Sequence, residues 1–204
     1  MNLVPKALIF DLGGVIVPLD FPRGYRALEA ASGVPAAEIP KRIGATDLVK
    51  RFETGQMSAE AFTQELCALF DMKATHDEFC SLWSAIFPPH SLIPEELFEA
   101  LAKRYRVVLL SNTNVIHFDE IRRNYPHLNH FHQYVLSYEV GAAKPSSRIY
   151  QAAIAAAQCA AEDCFFTDDI PMYVEGARKQ GIDAVQFQNY EQLQSELRAR
   201  GVDW

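Results

Sequence analysis

The fold is decided by residues 7–14, ALIFDLGG, in which four apolar residues lead into an acid that is soon followed by two glycines. A short apolar run that ends in turn residues is typical of a buried parallel strand. Runs of the same form lie at residues 107–110, 134–136 and 164–166, and a possible fifth strand lies at 184–187. The sequence therefore predicts a parallel sheet.

Segments with helical periodicity alternate with the later strands, at residues 118–125, 147–158 and 173–180. A further helix is predicted at residues 191–200, where alternating charges indicate a solvated face. Strands that alternate with helices favour an α/β fold with a doubly wound, Rossmann-like parallel sheet.

The stretch between the first two strands has no convincing strand of its own. Its helical patterns cover residues 23–32, 36–50, 59–70 and 76–86, and prolines bound the stretch at positions 18, 22, 88, 89 and 94. We therefore predict a core of residues 1–18 and 94–204, with residues 19–93 inserted as an all-α cap domain above the sheet.

Composition limits the function classes. The chain has 204 residues, of which 49% are hydrophobic and 22% are charged, as in an ordinary globular protein. A net charge of -7 gives no attraction to nucleic acid or to anionic lipid, so neither is expected as a partner. The charge does not bear on an oligomeric partner, which is left open. An anionic substrate would need a local cluster of positive groups.

The four cysteines show no spacing typical of a zinc site. Cys67, Cys80, Cys159 and Cys164 contain no Cys-x-x-Cys pair, and we interpret them as buried thiols. No apolar run approaches the roughly 18 residues that a membrane span requires. The N-terminal residues lack the apolar centre of a signal peptide, so a cytoplasmic location is expected.

Polar residues follow the predicted strands where each strand ends. The carboxyl ends of parallel strands meet at one edge of a sheet, which is where ligands bind in open α/β folds. The residues at these positions are Asp11, Ser111, Asn112, Asp168 and Asp169, and Lys144 follows a short way past the third strand.

These residue types suit phosphoryl transfer. Asp11 is ionised at neutral pH and can attack phosphorus without a base, while Lys144 would reduce its repulsion from a phosphate dianion. Asp169 and the carbonyl of Gly13 are oxygen ligands of the kind that magnesium prefers. Taken alone, each of these residues has a more ordinary role, the acids and Ser111 as helix caps and Lys144 as a solvated lysine. Four groups of such residues, one after each of the first four strands, favour a shared site.

The same residues resemble the haloacid dehalogenase superfamily. Its four motifs correspond to FDLGGV at 10–15, LSN at 110–112, KP at 144–145 and FTDD at 166–169. The cap, with RFE at 51–53 followed by Gly55 and Ser58, resembles the helical-cap branch of phosphoglycolate phosphatases and epoxide-hydrolase phosphatases. Bacterial α-glucose-1-phosphate phosphatase-like members are similar and also carry glycine at position 13.

The resemblance implies a magnesium-dependent phosphatase that hydrolyses a small phosphomonoester, such as a sugar phosphate, through an aspartyl-phosphate. Asp11 would be the nucleophile. Magnesium would be bound by Asp11, the Gly13 carbonyl and Asp169, with Asp168 orienting a metal-bound water. The resemblance also implies that the phosphoryl group is bound by Ser111, Asn112 and Lys144.

Two positions depart from the pattern of the family. Most phosphatases of the family carry a second acid where this chain has Gly13, and general acid-base catalysis is typically worth about 100- to 10,000-fold. Either another group or water substitutes for that acid, or the preferred substrate has a leaving group that needs little protonation, as in glycosyl, acyl and aryl phosphates. The second departure is Tyr173, at a position where an acid or asparagine often supports the metal.

Other functions remain open at this point. A metal-independent 2-haloacid dehalogenase would also lack the second acid, although the pair Asp168 and Asp169 beside Asp11 concentrates a charge that a cation would relieve. A phosphate-binding protein that has lost catalysis is a second alternative. A sugar-phosphate mutase is disfavoured because the acid absent at Gly13 would have to move protons in both half reactions.

The cap is expected to set specificity, with candidates Arg42, Thr46, Asp47, Lys50, Arg51 and Phe52. The alternatives are solvated faces for the charged residues and a place in the cap core for Phe52. Asn114 and His117 could face the substrate pocket. We expect His117 to lie on a helix surface. The alternative is that it donates a proton in place of the acid that is absent at Gly13.

Overall fold

The computed structural model describes residues 4–204. At its centre is a five-stranded parallel sheet with the strand order β3-β2-β1-β4-β5. The strands are β1 (Ala7–Phe10), β2 (Arg106–Ser111), β3 (Gln133–Leu136), β4 (Cys164–Asp168) and β5 (Asp183–Gln186). Every predicted strand exists, within two residues of its predicted ends. The order of the strands reverses at β1, so the sheet is doubly wound, as predicted.

Helices fill the connections between the strands. Six lie between β1 and β2 within the described residues: α1 (Phe21–Ser32), α2 (Ile39–Gly44), α3 (Leu48–Glu53), α4 (Ala59–Leu69), α5 (His76–Trp83) and α6 (Glu95–Ala102). Five follow: α7 (Val115–Asn124), α8 (Ser137–Val140), α9 (Ser147–Ala157), α10 (Pro171–Arg178) and α11 (Tyr190–Ala199). The α/β class predicted from the alternation is confirmed.

One predicted helix is divided in the structure, and two helices, α6 and the short α8, have no counterpart in the prediction. The helix predicted at residues 36–50 is two helices, because the chain turns after Gly44 and the Thr46 hydroxyl donates a hydrogen bond to the Ile43 carbonyl at 2.8 Å. The helix at Glu95–Ala102 is absent from the prediction, although Pro94 and acids in its first turn are ordinary start signals.

The apolar side chains form three clusters. The alternation along β1 sends Leu8 and Phe10 to one face of the sheet, against α6, α7 and α11, and Ala7 and Ile9 to the other face, against α9 and α10. The helices α1 to α5 share a third cluster around Phe62, which stacks on Phe52 with ring centroids 4.2 Å apart. The boundaries 1–18, 19–93 and 94–204 stay a prediction.

The thiols differ from the prediction of four buried side chains. Cys164 is buried at the start of β4, whereas the other three are only partly covered. Among the helices of the described residues, none has the length and apolarity needed to cross a membrane.

We expect Phe62→Ala to lower the free energy of unfolding by about 3–5 kcal/mol. Phe62 is fully buried, so the substitution leaves a cavity in the apolar cluster that α1 to α5 share, which we call the cap cluster. Phe21→Ala is the matched control, since Phe21 is 47% exposed, and it should cost about 1 kcal/mol or less. Urea unfolding of both variants measures the difference. Equal losses would contradict the assignment of a separate apolar cluster to the cap helices.

Candidate active site

Asp11 lies at the carboxyl end of the central strand. Its backbone N–H donates a hydrogen bond to the Thr167 carbonyl at 3.0 Å, which continues the pairing of β1 with β4 by one residue. The chain then turns sharply, because the N–H groups of Ile16 and Val17 both donate to the Leu12 carbonyl at 2.9 Å. This turn leaves the Asp11 carboxylate almost wholly buried at the edge of the sheet.

A buried lysine joins the first and fourth predicted motifs. The Lys144 ammonium lies 2.8 Å from a carboxylate oxygen of Asp11 and 2.5 Å from one of Asp168. It also donates to the Leu110 carbonyl at 3.3 Å. Lys144 is 3% exposed, so the alternative of a solvated lysine is wrong.

The side chain of Asn112 holds Lys144 in place. Its Oδ1 accepts a hydrogen bond from the Lys144 N–H at 2.7 Å, and its Nδ2 donates to the Lys144 carbonyl at 3.1 Å. Both ends of the amide are therefore engaged with the backbone of Lys144. This geometry favours a positioning role for the Asn112 side chain over the direct phosphate contact expected from the sequence.

The loop after β2 is anchored to the end of β3. The Ser137 hydroxyl accepts from the Thr113 N–H at 2.9 Å and donates to the Thr113 carbonyl at 3.0 Å. Ser111, the last residue of β2, lines the cleft together with Lys144 and Gly13. The structure thus brings the predicted phosphate-binding residues to one place.

Carboxylate oxygens of Asp11, Asp168 and Asp169 lie within 4.8 Å of one another, close enough to bind a common metal ion. Within the described residues, the buried Oδ1 of Asp169 has no hydrogen-bond partner. In contrast, Asp168 accepts from Lys144 and from the Ile170 N–H at 2.9 Å. The residues fit a magnesium ion, with Asp169 as the more available ligand.

Gly14 makes room for Asp169. Its φ of 82° lies in the left-handed region, and a Cβ at this position would lie 2.5 Å from Oδ2 of Asp169. Both the backbone conformation and the space therefore require glycine.

Burial and charge act together on the ionisable groups. Burial raises the pKa of Asp11, an effect that Lys144 opposes and Asp168 reinforces. Burial also raises the pKa of Asp169, with a further contribution from Asp168. Burial by itself disfavours the Lys144 ammonium, but the two carboxylates hold its pKa above the ordinary value. Three carboxylates share one ammonium, so a cation would relieve the excess negative charge.

The two positions that depart from the family pattern differ in their surroundings. A Cβ at Gly13 would lie 3.2 Å from Cδ1 of Leu19. The Leu19 side chain therefore packs against the position from which an acidic side chain would extend. The Tyr173 ring has its centroid 5.1 Å from the Lys144 ammonium, a cation–π contact. Tyr173 therefore packs on the lysine.

A cleft of about 640 Å³ lies between these residues and the cap helices. Of the predicted specificity residues, Thr46 and Lys50 line it, while Phe52 is buried in the cap cluster. Arg42 pairs with Glu38 at 3.1 Å, and Asp47 pairs with Arg51 at 3.6 Å, outside the cleft lining. Glu53, which the sequence reasoning missed, also lines the cleft. Its helical spacing from Lys50 was the available signal.

His117 does not lie on a helix surface, contrary to expectation. It lines the cleft, and its Nε2 donates to the Trp83 carbonyl at 3.1 Å, which fixes the neutral tautomer. Its Nδ1 accepts from Nδ2 of the buried N-cap residue Asn114 at 3.2 Å. Both ring nitrogens are engaged, and burial lowers the pKa to about 4, so a proton-donor role is disfavoured.

Comparison with known proteins identifies the class. The model of the haloacid dehalogenase-like hydrolase family matches residues 5–181, which is most of the chain. The protein therefore belongs to the haloacid dehalogenase-like hydrolases, as the four motifs indicated.

Relatives of known activity are similar over nearly their whole length. D-ribitol-5-phosphate phosphatase of Bacteroides thetaiotaomicron is 27% identical over 198 residues, which is 94% of this chain and 96% of the relative. Phosphatase MT3486 of Mycobacterium tuberculosis is 29% identical over 88% of this chain and 85% of its own length. A family enzyme of Bacteroides thetaiotaomicron, solved with magnesium and inorganic phosphate, superposes with a TM-score of 0.80 at 25% identity, covering 91% and 95% of the chains.

We expect Gly14→Ala to destabilise the protein more than Gly33→Ala. Both positions have a left-handed φ, which costs an alanine about 1–2 kcal/mol, but only a Cβ at Gly14 meets another side chain within 4 Å. Urea unfolding of the two variants separates backbone strain from the collision with Asp169. Equal destabilisation would show that Asp169 does not pack against Gly14.

The neutral state of His117 predicts a pH effect on stability. Its pKa is about 4 in the folded protein and about 6.5 when unfolded, so its contribution is present above pH 6.5 and is lost as the pH falls towards 4. The loss should reach about 3 kcal/mol, since a unit of pKa is worth about 1.4 kcal/mol. His117→Gln removes the titration and retains a donor for the Trp83 carbonyl.

Unfolding free energies measured across this range should therefore fall more steeply for the wild type than for His117→Gln. Parallel pH profiles would contradict the burial of a neutral imidazole.

Proposed function

We propose that this chain is a magnesium-dependent phosphatase that hydrolyses a small phosphomonoester, such as a sugar phosphate or another substrate with a good leaving group, through a phosphorylated Asp11. One observation carries the proposal: Lys144 bridges Asp11 and Asp168 at the buried end of the sheet, while one carboxylate oxygen of Asp169 has no hydrogen-bond partner among residues 4–204. The names of the two phosphatase relatives support the same class of reaction.

The substrate phosphate is bound where the cleft meets the sheet. The Ser111 hydroxyl and the Lys144 ammonium bind phosphoryl oxygens, and Asn112 keeps the lysine in position through its backbone. Asp11, Asp169 and the Gly13 carbonyl would hold magnesium, and Asp168 would orient a water bound to it. When bound, the ion would neutralise charge on the phosphoryl group and on the carboxylates.

The reaction proceeds in two displacements. An oxygen of Asp11 attacks phosphorus, and the bond from phosphorus to the ester oxygen breaks, which leaves an aspartyl-phosphate and an alkoxide or phenoxide. Water then attacks phosphorus and breaks the bond to Asp11, which releases inorganic phosphate and one proton. Lys144 stabilises the charge on the phosphoryl oxygens in both steps.

The leaving oxygen has no acid beside it at position 13. Leu19 packs against that position, so the side chain that protonates the leaving group in most phosphatases of the family has no equivalent here. Rates should therefore depend strongly on the pKa of the leaving alcohol, because an alcohol of low pKa departs without a proton. Aryl, acyl and glycosyl phosphates meet this condition.

We expect phosphate release from a panel of aryl, acyl, glycosyl and alkyl phosphates to require both magnesium and Asp11. Asp11→Asn should lower kcat by about a thousandfold or more, because the amide cannot act as the nucleophile. Asp163→Asn is the matched control: it alters an acid paired with the exposed Lys6 at the opposite edge of the sheet and should retain activity.

The alternatives predict different results from the same proteins. Release of chloride from chloroacetate without magnesium would identify a 2-haloacid dehalogenase. Binding of inorganic phosphate with no turnover above the Asp11→Asn background would identify a non-catalytic binding protein.

A further inference from the structure

Among residues 4–204, none donates a hydrogen bond to the carboxylate of Glu53. It lies at the last position of α3, lines the cleft and is only partly exposed. Within residues 4–204 it forms no hydrogen bond and no ion pair, and burial raises its pKa to about 7. An acid that loses water without gaining a donor is costly to the free protein.

The placement of Glu53 is fixed relative to the phosphate-binding end of the cleft. The chain turns at Gly55, whose φ is 68°, and a Cβ there would lie 2.1 Å from the Tyr138 carbonyl oxygen. Tyr138 belongs to α8, directly after the Ser137 that anchors the loop following Ser111. The end of α3 therefore rests on the core element that also supports the predicted phosphate site.

The cleft that Glu53 lines has more apolar than polar surface. Most of the cleft wall between the cap and Lys144 is apolar or aromatic, and includes Leu19, Tyr25, Trp83 and Tyr173. Lys50, one turn earlier on α3, also lines the cleft but does not approach Glu53 closely enough for an ion pair. A hydrogen-bond donor supplied by a ligand would relieve the carboxylate.

We propose that Glu53 determines specificity by accepting hydrogen bonds from hydroxyl groups of the leaving group and by excluding substrates that carry a second negative charge there. The inference rests on the proposed function and narrows its substrate class to neutral, hydroxylated phosphomonoesters.

The chemistry of a carboxylate supports both parts of the proposal. An ionised glutamate is an acceptor only, so alcohol hydroxyls complement it and a substrate carboxylate or second phosphate does not. In a cleft with apolar walls, repulsion between like charges is screened less than in water. In the proposed function the substrate phosphate is bound by Lys144, which leaves Glu53 to act on the leaving group.

The test compares straight-chain alditol phosphates of three to five carbons with the aldonic acid phosphates of the same length. The two members of each pair differ in the terminal group, which is a hydroxymethyl or a carboxylate. p-Nitrophenyl phosphate, which has no alcohol hydroxyl, serves as the reference substrate. Assays near pH 8 keep the carboxylate ionised.

For the wild type, we expect kcat/KM to favour an alditol over its aldonic acid by about tenfold to a hundredfold, the value of a hydrogen bond to a charged group. Glu53→Gln should lose most of this preference, through a higher KM for the alditol and faster hydrolysis of the aldonic acid. Turnover of p-nitrophenyl phosphate should not change. Glu65→Gln, on the exposed face of α4, is the matched control and should keep the preference.

An equal effect of Glu53→Gln on all three substrate types would indicate a structural role and overturn the inference, as would an unchanged preference for the alditol. Both results leave the phosphatase reaction standing, because p-nitrophenyl phosphate reports it separately. No phosphate release by the wild type from any substrate would contradict the proposed function and this inference with it.

Discussion

The ammonium of Lys144 is buried against two carboxylates, and the architecture of the site depends on this one pairing. A lysine without solvent needs its charge compensated, and Asp11 and Asp168 compensate it from two neighbouring strands at 2.8 and 2.5 Å. The pairing is possible only because β1 and β4 are adjacent and in parallel register, so that both strands end at the same level. The order of the strands thus determines the electrostatics of the site.

The excess of carboxylates over ammonium groups explains features that otherwise look unrelated. Asp169 adds a third acid whose buried oxygen has no partner in the part of the chain that the structure describes, and Gly14 leaves the space that this side chain occupies. Asn112 uses its whole amide on the backbone of Lys144, because a misplaced ammonium would leave Asp11 and Asp168 buried without compensation. A divalent cation would complete the balance of charge, in keeping with the magnesium and phosphate bound by a similar family enzyme.

The sequence predicts the strands and the set of residues at their ends well, because short apolar runs and motif spacing are local signals. Phe10 followed by Asp11 can be interpreted without knowing the rest of the chain. The role of the Asn112 side chain, the contact of Tyr173 with Lys144 and the packing of Leu19 against Gly13 depend on approaches between distant segments. His117 was misjudged for the same reason, since its partner Trp83 comes from a cap helix. The spacing of Glu53 from Lys50 indicates a shared helix face, but the local sequence does not show that its carboxylate lacks a donor among the described residues.

The central claim is that Asp11, activated by its place beside Lys144, becomes covalently phosphorylated. Rapid acid quenching of the protein during turnover with magnesium, followed by mass spectrometry of its peptides, tests this claim most directly. The account predicts one phosphoryl group on the peptide that contains Asp11, formed as fast as the substrate is consumed and absent in Asp11→Asn. Turnover at the normal rate with no phosphorylated peptide at any quench time, or with the phosphoryl group on another residue, would contradict it.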